Sequence, residues 1–150
     1  TFEENALIKA KTVSKYIRNI GLEYDVLADD SGLCCIALNN EPGIYSARYA
    51  GEKKDNEANR KKLIANLSGK DHSAFFNCTL VLYHTDDTYE VISGQTNGYI
   101  VETECGDTSF GYDCIFYSTE LNKTFRFSIE ELNSRIYGNG FVIDVSLIIL

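Results

Sequence analysis

Between residues 3 and 18 the apolar side chains Ala6, Ala10, Val13 and Ile17 recur at spacings of four, three and four. That period predicts a helix with these four on its buried face. Thr1 is placed to cap it, Glu3 and Glu4 suit its positive end, and Gly21 is placed to stop it. A short strand at 24–28 then leads into Asp29-Asp30-Ser31-Gly32, with a further strand at 33–38. Residues 39–51 hold the only proline and read as loop. A second helix is expected over 56–67, with Leu63, Ile64 and Leu67 inward and Arg60, Lys61 and Lys62 mostly outward. From 74 to 84 the pattern changes to strict alternation, with Phe76, Cys78, Leu80 and Leu82 on one face, as in a long strand buried on at least one face. Asp86-Asp87 reads as a turn, and strands at 89–93 and 99–102 flank Gly94 and Gly98. A glycine-bearing loop at 106–112, a strand at 114–117, a short helix near 129–135 and an apolar tail at 141–150 complete the chain.

This order predicts an α/β fold, a mixed twisted sheet flanked by helices. At 150 residues, 44% hydrophobic and 24% charged, a single globular domain over 1–150 is expected. The charge balance, 14 − 22 = −8, argues against a nucleic-acid partner, because the phosphate backbone would be repelled. It leaves room for a nucleotide held through a metal ion. The longest apolar run, residues 141–150, is broken by Asp144 and Ser146, well short of the roughly 20 residues a bilayer needs, so no membrane span is expected. No signal peptide is visible. With no methionine and Thr1 in first place, the chain is not expected to be a translated start. Five cysteines without C-x-x-C spacing read as reduced thiols of a cytoplasmic protein. Cys34 and Cys35 are adjacent in a strand-like run, so they point to opposite faces and do not share a metal.

Three features could carry chemistry. Asp29 and Asp30 offer oxygen ligands of the kind Mg²⁺ takes, one or two carboxylates with phosphates and water completing its shell. A solvated turn is the plainer reading of the same four residues. Phe110-Gly111-Tyr112-Asp113 would let backbone approach a flat ligand between two rings, or would simply close a tight loop. Lys9 departs from the apolar face of the first helix and could reach a phosphate, or remain in solvent.

In order along the chain stand Thr1-Phe2-Glu3-Glu4-Asn5-Ala6 with Lys9-Ala10, then Ala28-Asp29-Asp30-Ser31-Gly32-Leu33, then Pro42-Gly43-Ile44-Tyr45-Ser46-Ala47-Arg48-Tyr49-Ala50-Gly51. Asp55-Asn56 with Asn59, Ala74-Phe75-Phe76-Asn77-Cys78, Gly98-Tyr99-Ile100 and Phe110-Gly111-Tyr112-Asp113 follow. This series closely resembles the inosine/xanthosine triphosphate pyrophosphatase family, from Thr1 to about Gly138. The resemblance implies Mg²⁺-dependent hydrolysis of a non-standard purine nucleoside triphosphate (ITP, dITP or XTP) to the monophosphate and pyrophosphate. It also implies two lobes with a nucleotide cleft between them, and a homodimer. By the same resemblance Asp30 is the metal-linked general base, Ser31 contacts the nucleotide, Lys9 the phosphate chain, and Phe110, Gly111, Tyr112 and Asp113 the nucleoside.

Some parts differ from the family pattern. Its S/T-G-N-x-x-K phosphate loop would precede Thr1, and Leu132-Asn133-Ser134-Arg135-Ile136-Tyr137-Gly138 stands where K-N and I-S-H-R are usual. Cys114 replaces a proline and Ser109 a glycine. The alternative reading is a remnant of the family that binds nucleotide weakly or only pairs with a second copy.

Overall fold

The computed structural model describes residues 1–103 and 111–125. Two α-helices, α1 (Phe2–Asn19) and α2 (Asn56–Leu67), accompany strands β1 (Val26–Cys35), β2 (Glu41–Pro42), β3 (Ser73–Tyr83), β4 (Tyr89–Ile100), β5 (Phe116–Ser118) and β6 (Lys123–Thr124). Short 3₁₀ helices occupy Ile36–Leu38 and Gly43–Arg48. The strands form one sheet of order β2-β1-β3-β4-β5-β6, and β1–β2, β4–β5 and β5–β6 pair antiparallel. The chain is thus α/β, as its pattern predicts. The helix expected at 129–135 and the apolar tail at 141–150 lie outside the described residues.

Three expectations change. Residues 24–38 do not make two strands around a turn: β1 runs straight through Asp29-Asp30-Ser31-Gly32, and 36–38 is helical. β1 is hydrogen-bonded to β3 and, at Cys34 and Cys35, to β2, and this pairing outweighs the poor strand propensity of Asp, Ser and Gly. β4 likewise continues through Gly94 and Gly98. The loop expected at 39–51 is ordered into β2 and a 3₁₀ helix.

The contacts divide the chain into two compact units, Thr1–Ser31 with Asn77–Gln95, and Gly32–Phe76 with Thr96–Leu150. In the first, Thr1 and Glu4 form a reciprocal capping box that fixes the start of α1. Ala6 and Ala10 pack with Val26, Val81 and Tyr83, while Leu7, Ile17 and Ala28 fill the margin. Ser14 replaces Val13 on this face: Ser14 is buried and Val13 is 47% exposed. A helix seated through alanines approaches its sheet closely, and the i, i+4, i+8 row at 6, 10 and 14 is the row that fits.

In the second unit α2 keeps its predicted bounds, capped by Asp55 through the Ala58 amide at 3.0 Å. Leu63 and Leu67 are buried as expected, but so are Asn59 and Arg60. Phe76, Phe116 and Phe125 gather with ring centroids 4.8–5.2 Å apart. Gly98 faces Ser118 across β4–β5, and a Cβ there would lie 2.1 Å from the Tyr117 carbonyl oxygen and 2.7 Å from Phe116 Cζ. Gly98→Ala is therefore expected to destabilise the protein by about 1–3 kcal/mol through overpacking. Urea unfolding checks this; an unchanged midpoint would refute the close approach.

On the turn between β3 and β4, His84 Nδ1 lies 2.9 Å from Asp25 Oδ2 and its Nε2 lies 3.5 Å from Glu90 Oε1. The hydrogen bond to Asp25 raises the His84 pKa above its ordinary 6.5, and the one from His84 lowers Asp25 below 3.8. The histidine's contribution to stability is complete below pH 6.5 and is lost as pH rises through its raised pKa. The aspartate's is present above 3.8 and is lost as pH falls through its lowered value. The melting-temperature difference between the wild type and His84→Gln is expected to be larger at pH 5 than at pH 8. A difference that grows with pH would contradict this.

Candidate active site

Strand alternation turns Asp29 and Asp30 to opposite faces of β1. Asn5 and Lys9, one helical turn apart on α1, both reach Asp30: Asn5 Nδ2 donates to Oδ2 at 3.0 Å, and Lys9 Nζ donates to Oδ1 at 2.7 Å. Lys9 also donates to the Asp29 carbonyl oxygen at 2.7 Å, so one ammonium grips the strand backbone and the carboxylate together. The Asp30 side chain is 15% exposed. Each of its oxygens keeps a further lone pair, so the group is oriented and charge-compensated while still able to accept a proton. Ser31 Oγ donates to Asp29 Oδ2 at 3.2 Å. Burial pushes the neighbouring Cys78 thiol up, a hydrogen bond with Ser31 opposes this, and the Asp29 and Asp30 charges add to it. Cys78 is thus a neutral thiol, unsuited to nucleophilic work. Burial likewise raises Cys34 to about 11 and Cys35 to about 12, in keeping with two inert, buried cysteines.

The second unit holds the other group of predicted residues. Gly111 has φ +54°, a left-handed conformation that favours glycine, and its carbonyl accepts from Arg60 Nη1 at 3.0 Å. Tyr112 is 4% exposed and packs in the core, its hydroxyl donating to the Ser46 carbonyl at 2.9 Å. Burial pushes that hydroxyl's pKa well up. The ring is therefore a core side chain, and the main chain around Gly111 is the more available part. Asp113 is half-buried, and Phe110 lies outside the described residues.

The run Pro42 to Gly51 is held by α2 rather than by its own contacts. Asn59 Oδ1 accepts from the Ala50 amide at 2.6 Å, and its Nδ2 donates to the Ala47 carbonyl at 3.1 Å. Lys62 Nζ donates to the Tyr49 carbonyl at 2.6 Å and lies 4.3 Å from the centroid of that ring. Ser46 Oγ accepts from the Leu33 amide at 3.0 Å, tying the run to β1. Reading the sequence did not single out Asn5, Arg60, or Ser46 and Asn59 as individual supports. The i, i+4 pairing of Asn5 with Lys9 was the one signal available beforehand.

Mg²⁺ fits the donor chemistry of Asp30, an oxygen-only carboxylate of the kind this ion takes; Asp29, on the opposite face, does not share it. Among the described residues no group of three or more His, Cys, Asp or Glu is placed to hold a metal.

An α/β chain with a strand carboxylate held by a lysine and an amide from one helix is the class that fold and site define. The Ham1 family model matches residues 1–136. Over 128 residues the chain is 44% identical to a dITP/XTP pyrophosphatase of Leuconostoc mesenteroides, covering 83% of this chain and 61% of that protein. It is 46% identical over 125 residues to one of Staphylococcus aureus, covering 83% and 62%. The structure of the Staphylococcus aureus Ham1 protein superposes with a TM-score of 0.73 at 40% identity, covering 92% of this chain and 77% of that one. The chain belongs to the Ham1 family, to which the ordered motifs pointed. It spans about 61–62% of the length of these curated relatives.

Proposed function

We propose that this protein is a cytoplasmic, Mg²⁺-dependent nucleoside triphosphate pyrophosphatase acting on non-standard purine nucleotides such as ITP, dITP and XTP. The observation that carries the reading is Asp30, gripped by Lys9 and Asn5, within a chain 44–46% identical to proteins named for this reaction. Water attacks phosphorus, the bond to the leaving pyrophosphate breaks, and Asp30 takes the water proton on a free lone pair. Lys9 offsets negative charge developing on the phosphate chain, and its bond to the Asp29 carbonyl keeps it in place. Ser31 contacts the nucleotide, and Phe110, Gly111, Asp113 and the main chain of Tyr112 the nucleoside, with Arg60 holding Gly111 and Ser46 holding Tyr112. Mg²⁺ held by Asp30 would neutralise phosphate charge when bound. The reading treats residues 1–150 as one functional domain and includes a homodimer, which exposed apolar side chains such as Ile8, Tyr16 and Ile20 support.

Pyrophosphate release with Mg²⁺ from inosine, xanthosine and guanosine triphosphates tests it. The expected result is release from the inosine or xanthosine nucleotide at least about tenfold above the guanosine one, a discrimination of about 1.4 kcal/mol. Nucleotide binding without release would assign the non-catalytic alternative. Lys9→Gln is expected to lower kcat/KM about tenfold, the magnitude of one charge-assisted hydrogen bond. Unchanged KM and kcat would remove Lys9 from the phosphate chain.

A further inference from the structure

Lys11, Lys15 and Arg18 fall on one face of α1 at i, i+4 and i+7, in a chain whose net charge is −8. At 3.6 residues per turn this face lies about 120–180° around the helix from Lys9, so it is not the Asp30 side. A cavity of about 200 Å³ opens there, bordered by Lys11, Lys15, Arg18 and Asn19 from the helix and by Tyr83 and Asp87 from the β3–β4 hairpin. That volume suits a small ion or a compact headgroup rather than a larger organic ligand.

Its wall is already organised. Tyr83 is 7% exposed and donates its hydroxyl to Asp87 at 2.9 Å. Lys11 Nζ lies 5.9 Å from the centroid of the Tyr83 ring. Arg18 donates to Asp87 at 2.9 Å and to the Thr85 carbonyl at 2.8 Å, which offsets the one carboxylate in the cavity. Among the described residues neither Lys11 nor Lys15 has a carboxylate partner. Ser14 also lines the cavity, is only 2% exposed, and its hydroxyl has no hydrogen-bond partner among the described residues. Thr124 Oγ1 is the sole fully buried, unpaired side-chain polar atom among the described residues, so the Ser14 hydroxyl is open to the cavity. An anion with several acceptor oxygens would use it.

We propose that this cavity binds a phosphate-type dianion, through the Lys11 and Lys15 ammonium groups and the Ser14 hydroxyl. Two sources share that chemistry, free inorganic phosphate and the phosphate of a nucleoside monophosphate. The site stands apart from the proposed reaction and does not depend on it.

Calorimetric titration of the whole protein with inorganic phosphate, and separately with AMP, without Mg²⁺, is the test. Saturable one-site binding is expected, weakened at least about tenfold in Lys11→Gln/Lys15→Gln, as loss of two charge-assisted contacts implies. Ser14→Ala is expected to weaken it by a smaller factor, and Lys9→Gln to leave it unchanged. Equal affinities identify the free ion as the ligand, and tighter AMP binding identifies a phosphomonoester. Absence of saturable binding by either probe overturns the proposal. So does binding that Lys9→Gln abolishes and the Lys11/Lys15 double variant retains.

Discussion

Asp30→Asn is expected to lower pyrophosphate release at least about 10²-fold, a loss of roughly 2.7 kcal/mol of transition-state stabilisation. The amide keeps the shape of the carboxylate but can neither take the water proton nor attract a metal ion as strongly. Repulsion between adjacent acids would make this change neutral or favourable for stability. The structure argues otherwise, because Asp30 is compensated by Lys9 at 2.7 Å and bonded by Asn5 at 3.0 Å. A stability loss of about 1 kcal/mol is therefore expected, set by one ion pair whose lysine is 53% exposed. Asp29→Asn is the control, since its carboxylate is bonded only through Ser31 in the described contacts. If Asp29→Asn stops turnover while Asp30→Asn retains it, the two aspartates have been assigned the wrong way round.

The largest stability effect is expected from Phe116→Ala. Phe116 is fully buried, and its ring meets Phe76 edge-on at 4.9 Å and Phe125 at 4.8 Å. Truncation forfeits the transfer energy of the ring and leaves a cavity, about 3–5 kcal/mol together. That is a large share of the roughly 5–15 kcal/mol by which a domain is stable. At about 2–4 °C per kcal/mol for a chain of this size, the melting temperature should fall by about 6–20 °C. Phe116→Leu should recover part of the loss by refilling the space. A Phe116→Ala melting temperature within about 2 °C of wild type would mean that the three rings do not pack as a unit.

Local patterns were legible where the competing forces are also local. The cap at Thr1 and the bounds of α2 follow from residues within one turn of each other, and both are found as read. The breaks expected at Asp29–Gly32 and at Gly94–Gly98 rested on intrinsic propensity. They vanish because a neighbouring strand supplies hydrogen-bond partners, a fact about the sheet rather than about those residues. Arg60 was placed in solvent by helix period and charge. It is 6% exposed and paired with the Gly111 carbonyl, a partner 51 positions away.

The ordered motifs by themselves determined the family, and with it the residue types from which a site must be built. Hydrophobic period determined both helices and the long strand β3, since each depends on contacts a few residues apart. Tertiary structure alone decided which side chains those residues meet. Asp30 is bonded to groups 21 and 25 positions before it, and the Tyr112 hydroxyl to a carbonyl 66 positions before it. Such pairings form only when packing of the apolar faces brings distant segments together, so no window of sequence short enough to read by period contains them. The same holds for Ser14 and the basic face beside it: spacing shows three charges in a row, and only the seating of α1 on its strands leaves a hydroxyl open to a cavity among them.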